Sequence, residues 1–273
     1  MLRDSLTKIS GVSTWPCDEI NYIFLHGNLF RKHDRFTKKN INHSSVKYIK
    51  NSFWQLSKMT KSNIIVEKTC ANSLRIPFLK IIHPEAYFIC IFRDGNDVIP
   101  SAVKKWVSKP DIKYLYKKLK YIPLQDLPFH LLKFLFNKVN SLYSNQRLSP
   151  WGPIYPEMIN DLDKKSIQSI CLNQWAFCVK QTLLDIQKVE QGKKLFLNYD
   201  SFVKNPAKNL ELILDKINLK ITKNQLCNAV DHIYINDQKK VENINYIKKN
   251  LDERDLKKLK EINSDILLLS NRT

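Results

Sequence analysis

Apolar residues recur along the chain in two patterns, short continuous runs and longer stretches with a helical period. The runs at 63–69, 86–93 and 194–202 have the length of strands. The run at 86–93 contains the uninterrupted apolar stretch "AYFICIF", which is typical of a strand buried on both faces of a parallel sheet. These three segments therefore predict strands in the interior of the protein.

Between these runs the apolar positions follow the period of an α-helix. Pro100 is tolerable only near the first turn of a helix, so we expect the helix after the second strand to begin around 96–98. Strands that alternate with helices predict an α/β fold, with a parallel sheet covered by helices on both faces. The segments predicted to be helical are 2–10, 21–33, 45–60, 73–83, 97–106, 166–189, 205–219 and 252–269, with an inserted helical region at 110–150.

Composition narrows the classes of function. The 273 residues show no repeat and no clear linker, so we interpret residues 1–273 as one domain. The net charge is +19, but only eight of the 45 basic residues are Arg, and the Lys residues are spread along the chain. Without a basic arm, a small anionic ligand or an acidic acceptor fits this charge as well as a polynucleotide, and we expect no nucleic-acid partner.

Metal and membrane functions have little support. The six Cys residues show no metal-binding spacing, so no metal site is predicted. The longest apolar run, near residue 90, is too short to span a bilayer, and no secretory segment follows Met1. We therefore expect a soluble protein without a membrane span in this chain.

Two polar residues at the end of the second predicted strand are candidates for a phosphate site. Ligands of a parallel sheet lie outside the carboxyl ends of its strands, where Arg93 is expected. Ser101 lies in the following helix, so the guanidinium and the hydroxyl could hold one phosphate from two sides. The alternative is that Arg93 pairs with Asp94 or Asp97 and that Ser101 faces solvent.

Three segments resemble the sulfotransferases that use 3′-phosphoadenosine-5′-phosphosulfate (PAPS). "EKTCANSLRIPFL" resembles the family's Glu-Lys-Thr-Pro-x-x-x-x-Arg segment, and "PEAYFICIFRDGNDVIPSAVKKW" resembles its strand followed by Arg-Asp-x-x-Asp and a Ser. "LFLNYDSFVKNPAKNLELILDKINL" is similar to a later strand and helix of the family. The resemblance covers about residues 1–220 and is strongest to bacterial, tyrosylprotein and glycan sulfotransferases.

The resemblance implies roles for individual residues. Arg93 and Ser101 would hold the 3′-phosphate of the nucleotide, and Tyr199 would contact the adenine. Lys68 would lie near the sulfuryl group and stabilise the charge that builds on the leaving phosphate. Cys70 stands where the family has a Pro, a departure that should change the rigidity of the loop more than the chemistry. Lys68 could instead be a surface residue paired with Glu67.

A sulfotransferase also needs a base that takes the proton from the acceptor. Glu19 in "CDEINYIF" matches the tyrosylprotein segment to within one position, and Asp18 is the fallback. Small-molecule sulfotransferases use a His, for which His26 and His83 are the candidates. Glu19 as an ordinary surface acid remains an alternative.

One part of the family pattern has no counterpart in this sequence. The family begins with a strand and a Gly-x-x-Arg-Ser-Gly-Thr-Thr-type loop around the 5′-phosphosulfate, whereas Met1 aligns just after that loop. The implied fold is therefore an α/β P-loop-type parallel sheet flanked by helices, with its first strand and phosphosulfate loop missing. Either the true start lies upstream or the chain is a fragment. As given, it should be poorly stable and nearly inactive.

The sequence thus predicts transfer of a sulfuryl group from PAPS to a hydroxyl or amine of a glycan, a protein tyrosine or a small molecule. The alternative is an inactive truncated relative that only binds the nucleotide. Residues 107–160 are implied to vary within the family and to shape the acceptor site, and the bacterial look of the sequence favours the cytoplasm. Aromatic residues of that region that could stack on an acceptor, or pack in the core, are Tyr114, Tyr116, Tyr121 and Phe129.

Overall fold

Helices dominate the computed structural model, which describes residues 1–17, 19–108, 117–132, 150–233 and 238–270. Short 3₁₀ helices lie at Lys38–Asn40, Cys70–Leu74, Leu124–Asp126 and Gln191–Lys193. The α-helices are α1 Leu2–Thr7, α2 Asn21–Leu25, α3 His43–Thr60, α4 Ile76–Ile82, α5 Gly95–Val107, α6 Met158–Leu162, α7 Ile167–Ile186, α8 Tyr199–Lys204, α9 Pro206–Lys216, α10 Lys223–Val230, α11 Gln238–Asn250 and α12 Glu253–Ser270.

The strands form two parallel pairs. The first pair is β1 (Val12–Thr14) with β2 (Ile64–Val66), and the second is β3 (Phe88–Phe92) with β4 (Lys194–Asn198). The predicted strands within 63–69, 86–93 and 194–202 are confirmed, as is their parallel direction. β1 was not predicted, because a three-residue Val-Ser-Thr strand is too short to give a period.

A space that we call the central cavity lies between the two pairs. Its lining includes Ile65 of β2 and the whole of β3. β1 and β4 pair with the far edges, so β2 and β3 each keep one edge without a strand partner among the described residues. The parallel strands of the described residues therefore form two small sheets.

The central cavity also explains why β3 is less buried than its sequence predicts. Of its residues only Phe92 is buried, and Ile91 is 37% exposed to solvent. The expectation that this strand is buried on both faces is wrong, because among the described residues no strand covers the edge of β3 that faces the central cavity. An apolar strand in this state leaves part of its hydrophobic surface unburied.

Both strand pairs nevertheless share one hydrophobic layer. Buried Val12 of β1 and Leu197 of β4 belong to the same apolar cluster, and Ile64 and Ile89 pack against it. Helices α1, α9 and α10 cover this layer, with Leu6, Leu210 and Ala229 buried in it. The second layer is built from α5, α7 and α12, where Gly95 lets the helices approach closely.

Several predicted helices have different bounds in the structure. α2 stops at Leu25 because His26 leaves the helical region and Gly27 has a φ of +75°, so the expected helix to residue 33 is wrong. α5 begins at Gly95, one residue before the expected range, and Pro100 lies in its interior. Within the predicted insertion at 107–160, the structure describes residues 107–108, 117–132 and 150–160.

Candidate active site

Most of the residues predicted to form a site line the central cavity. The cavity has a volume of about 1030 Å³ and is bounded by Glu19, Lys68, Arg93 and Ser101. Lys68 lies two residues beyond β2, and Arg93 directly follows β3. Both side chains thus lie at the carboxyl ends of parallel strands, which is where open α/β sheets bind their ligands.

Lys68 and Glu19 form an ion pair at this end of the cavity. The Lys68 ammonium lies 3.0 Å from a Glu19 carboxylate oxygen. Glu19 has a φ of 56°, in the left-handed region that residues with a side chain rarely adopt. Such strained backbone positions cluster at functional sites, since the surrounding structure must hold them in place.

The surroundings of this pair favour its charged form. Burial alone would raise the pKa of the Glu19 carboxyl, but the Lys68 charge and a hydrogen bond with Cys70 outweigh it and lower the pKa. For Lys68, burial would lower the pKa, and the neighbouring Cys70 and Glu19 raise it instead. Glu19 is therefore ionised and Lys68 protonated at neutral pH.

Cys70 is part of this group, although sequence reasoning assigned it only a loop position. Burial raises the pKa of its thiol to about 11, and the Glu19 carboxylate adds to the shift. The thiol therefore stays protonated, next to the Glu19–Lys68 pair. Lys118 is a second residue that the sequence did not reveal, because its contribution is the electrostatic effect of its charge on Glu19.

Arg93 is held by contacts on several sides. Its guanidinium lies 3.6 Å from the Asp97 carboxylate and stacks on the Tyr199 ring, with 4.4 Å between the Cζ atom and the ring centroid. The Trp175 indole donates a hydrogen bond to the Arg93 carbonyl. The Nε of Arg93 is buried and has no hydrogen-bond partner among the described residues. A buried, unsatisfied cationic donor is costly unless an acceptor arrives, so this atom favours an anionic ligand.

The two alternatives for Arg93 and Ser101 both have a counterpart in the structure. Arg93 does pair with Asp97, as the structural alternative expected. Ser101 is exposed, and it also lines the cavity from helix α5. The Asp97 contact is longer than a close ion pair, which leaves the guanidinium able to bind a second anion.

Tyr199 lies at the start of α8, directly after β4. The Asn198 side chain caps this helix by accepting hydrogen bonds from the main-chain N–H groups of Asp200 and Ser201. This cap fixes the Tyr199 ring against the Arg93 guanidinium, so Tyr199 lies behind Arg93 and does not belong to the cavity lining. The expected contact with adenine stays a prediction.

Of the other candidate bases, neither His is suited to the role. His83 lines the opposite, amino-terminal end of the cavity, and burial lowers the pKa of its imidazole to about 4. His26 is buried between Asp126 and Ser44 and does not line the cavity. Asp18 lies outside the described residues. Glu19 is thus the candidate that touches Lys68.

The aromatic residues proposed to contact an acceptor have different surroundings in the structure. Tyr121 packs edge-on against buried Trp15, with 5.5 Å between the ring centroids, which agrees with a core role. Phe129 contacts the exposed Phe30 ring at 5.2 Å. Tyr114 and Tyr116 lie outside the described residues.

Arg75 belongs to a buried hydrogen-bond network close to the Lys68 loop. Its side chain is fully buried, donates hydrogen bonds to Asn21 and Asp34, and lies over the rings of Phe24 and Phe36. Arg75 follows the Lys68 loop by one 3₁₀ helix, so this network fixes the position of that loop. The sequence placed Arg75 in the motif without assigning it a role.

The described residues offer neither a metal site nor a membrane span. No cluster of three or more His, Cys, Asp or Glu residues there could hold a metal ion. In the same residues, no helix combines the length and apolarity that crossing a membrane requires.

Comparison with solved structures identifies the architecture. The chain superposes on a sulfotransferase domain from the curacin biosynthetic pathway with a TM-score of 0.55 and 12% sequence identity. The match covers 97% of this chain and 92% of that domain. The chain has the fold of a sulfotransferase domain. No family model matches the sequence, and no curated protein matches it either.

The sulfotransferase fold accounts for the coarse features predicted from sequence. Its mixed α/β character and the parallel direction of the strands agree with the described residues. At 12% identity the likeness extends to the fold, so the chemistry must be argued from the cavity residues.

Proposed function

We propose that this protein transfers a sulfuryl group from PAPS to a hydroxyl or amine of an acceptor. One observation carries the proposal: Lys68, Arg93 and Ser101 line a single cavity at the carboxyl ends of parallel strands, in a chain with a sulfotransferase fold. Two cations and a hydroxyl around one space suit a ligand with several anionic groups.

The nucleotide part of PAPS is assigned to the Arg93 end. Arg93 and Ser101 would bind the 3′-phosphate, for which the unpartnered Nε of Arg93 supplies a donor. Tyr199 holds the guanidinium in position by stacking. In this arrangement the Asp97 carboxylate shares Arg93 with the phosphate.

The transfer step is assigned to the Lys68 end. The acceptor oxygen attacks the sulfur while Glu19 takes its proton, and the bond from sulfur to the 5′-phosphate oxygen breaks. Lys68 stabilises the charge on the leaving phosphate. When Lys68 turns towards the donor, the positive charge that lowers the pKa of Glu19 moves away. Glu19 then becomes a stronger base at the moment when a proton must be taken.

The open edges of β2 and β3 support a further part of the proposal, that a parallel strand fills the space between them. α1 packs along β1 and β2, and its last turn leads into the start of β1. The first turn of α1 therefore points towards the carboxyl ends. A strand in the cavity that runs parallel to β2 and β3 would end close to Met1, and a short loop could join it to α1.

Translation of the reading frame upstream of Met1 tests this strand. An apolar run of strand length followed by a glycine-rich loop would support it, and the extended protein should then unfold at a higher temperature and transfer sulfate. A stop codon or an unrelated sequence would contradict it, and transfer by this chain would fail with it.

Binding of the product 3′,5′-bisphosphate tests the nucleotide site directly. Isothermal titration should show binding that Arg93→Ala weakens by about 10- to 100-fold, the expected loss for a charged hydrogen bond. Arg254→Ala is the matched control, since Arg254 is exposed at the start of α12. Equal affinity of wild type and Arg93→Ala would overturn the assignment.

The alternative function is nucleotide binding without transfer, which would need only the Arg93 end of the cavity. Incubation with radiolabelled PAPS and a mixture of phenols, sugars and tyrosine peptides separates the two. Labelled product supports transfer, whereas tight bisphosphate binding without product supports the binding protein.

We also propose a cytoplasmic location. All six cysteines are free, which agrees with a reducing compartment.

A further inference from the structure

A second group of polar side chains lies away from the central cavity. The His26 ring lies between two partners, with Nδ1 2.8 Å from an Asp126 carboxylate oxygen and Nε2 2.9 Å from the Ser44 hydroxyl oxygen. The order Asp–His–Ser, with one partner on each ring nitrogen, is the arrangement of a nucleophilic triad. Nothing in the proposed sulfuryl transfer uses these residues.

Three separate segments of the chain build this group. His26 directly follows α2, Ser44 lies in the first turn of α3, and Asp126 ends the 3₁₀ helix Leu124–Asp126. Asp126 is 100 residues from His26 in sequence, so tertiary structure alone brings them together. The Tyr48 ring packs against the imidazole at 4.6 Å between centroids and fixes its plane.

In a catalytic triad the nucleophile must be accessible to substrate, while the His and the Asp can be buried. His26 and Asp126 are 6% and 4% exposed, whereas Ser44 is exposed. The Asp126 carboxylate accepts from Nδ1–H, which leaves Nε2 as the acceptor for the Ser44 hydroxyl proton. A purely structural role would also explain the hydrogen bonds of His26, but it would not require the Ser44 hydroxyl to be exposed to solvent.

The start of α3 adds favourable electrostatics. The first N–H groups of a helix have no carbonyl partner within it, and its N-terminus carries partial positive charge. Asn42 accepts from the main-chain N–H of Ser45, so the cap holds this turn in place. An oxyanion that forms next to Ser44 would lie near this helix end.

Two exposed apolar side chains lie close in sequence to members of this group. Leu124, in the same 3₁₀ helix as Asp126, is 86% exposed. Phe30 is 87% exposed, follows His26 by four residues, and contacts the Phe129 ring. Apolar surface of this kind favours an acyl group with a hydrocarbon chain.

We propose that Ser44, His26 and Asp126 form an esterase site for small apolar acyl esters. Ser44 Oγ bonds to the ester carbonyl carbon while its proton passes to His26 Nε2. The bond from that carbon to the leaving oxygen then breaks, and the proton goes to the departing alcohol. Water attacks the acyl-serine in the same way, which releases the carboxylic acid and restores Ser44.

Labelling of the full chain with a fluorophosphonate probe tests the nucleophile. We expect one labelled peptide, which contains Ser44, and loss of the label in Ser44→Ala. Ser264→Ala is the control, because Ser264 is also an exposed helical serine, and its hydroxyl donates to the Lys260 carbonyl instead of to a His. Absence of label on Ser44 in the folded protein, or equal labelling of Ser44→Ala, would overturn the proposal.

Hydrolysis of p-nitrophenyl butyrate tests turnover and the role of the buried pair. Wild type should exceed Ser44→Ala by at least about 100-fold, and Asp126→Asn should slow Ser44 labelling by about 10- to 10⁴-fold. Because buried substitutions can unfold the protein, circular dichroism must first show native helix content in Asp126→Asn. A folded Asp126→Asn variant that labels at the wild-type rate would overturn the triad.

Discussion

The Lys68 ammonium lies 3.0 Å from the Glu19 carboxylate, across 49 residues of sequence. Both residues line the central cavity, and each charge shifts the pKa of the other group so as to favour its ionised form. Half of the Lys68 side chain remains exposed, so the pair adds little to stability. Its position at the strand ends therefore points to chemistry.

Substitution of either member should affect transfer far more than folding. If the proposed function is correct, Lys68→Met should lower the rate of sulfuryl transfer by about 10²- to 10³-fold, since the proposed stabilising charge on the leaving phosphate would be lost. Glu19→Gln should also slow transfer, with bisphosphate binding retained. Transfer and binding assays on the same samples measure this, with Lys104→Met as a control on exposed helix α5 surface. Wild-type rates in Lys68→Met would contradict the role.

Loss of Arg75 should destabilise the whole site. Arg75→Met leaves Asp34 buried without its cation, and removal of one member of a buried pair costs about 3–5 kcal/mol. Urea denaturation should show this loss, whereas exposed Arg35→Met should change the free energy of unfolding by less than about 0.5 kcal/mol. Equal midpoints for the two variants would show that the network does not support the fold.

Gly95→Ala should destabilise the helical layer. A Cβ at this position would lie 2.4 Å from Leu259 Cδ1 and 2.8 Å from Trp175 Cη2, so α12 or the indole must shift. We expect a cost of about 1–3 kcal/mol, measured as a lower melting temperature. Gly192→Ala is the matched control, because nothing lies within 4 Å of its added Cβ. A Gly95→Ala variant as stable as this control would refute the close packing.

His83 should make the protein sensitive to acid. Burial lowers the pKa of its imidazole from 6.5 to about 4 in the folded state. Between these values the unfolded chain binds a proton that the folded chain does not, so stability falls as pH drops from 6.5 to 4. Melting temperatures across this range should fall less in His83→Gln than in wild type. The exposed His43→Gln serves as the control, and parallel curves for all three proteins would contradict the prediction.

The strands and long helices could be predicted because their sequences carry a strong local signal. The apolar run before Arg93 and the helical period of 166–189 both gave the correct element. β1 was missed because three residues carry no period, and α2 was predicted too long because Gly27 ends it locally. The half-exposed state of β3 could not be read from composition, since it depends on what lies beside the strand.

Within the candidate site, the sequence proposed residues and one ion pair, Arg93 with Asp97, but not the other contacts. Arg93 was proposed from its place at a strand end, Ser101 from the helix that follows and Lys68 from the family resemblance, and all three line one cavity. The Cys70 hydrogen bond and the stacking of Tyr199 on Arg93 arise from tertiary contacts between distant segments. No local pattern encodes such contacts, so they became visible only in the fold.

The open edges of β2 and β3 have a consequence for main-chain hydrogen exchange. In a parallel strand, successive peptide groups point alternately to the left and right neighbour. In β3, one set of amides is bonded to β4 and the other faces the central cavity. Exchange along β3 should therefore alternate between slow and fast residues, a pattern that becomes uniformly slow once a strand occupies the space.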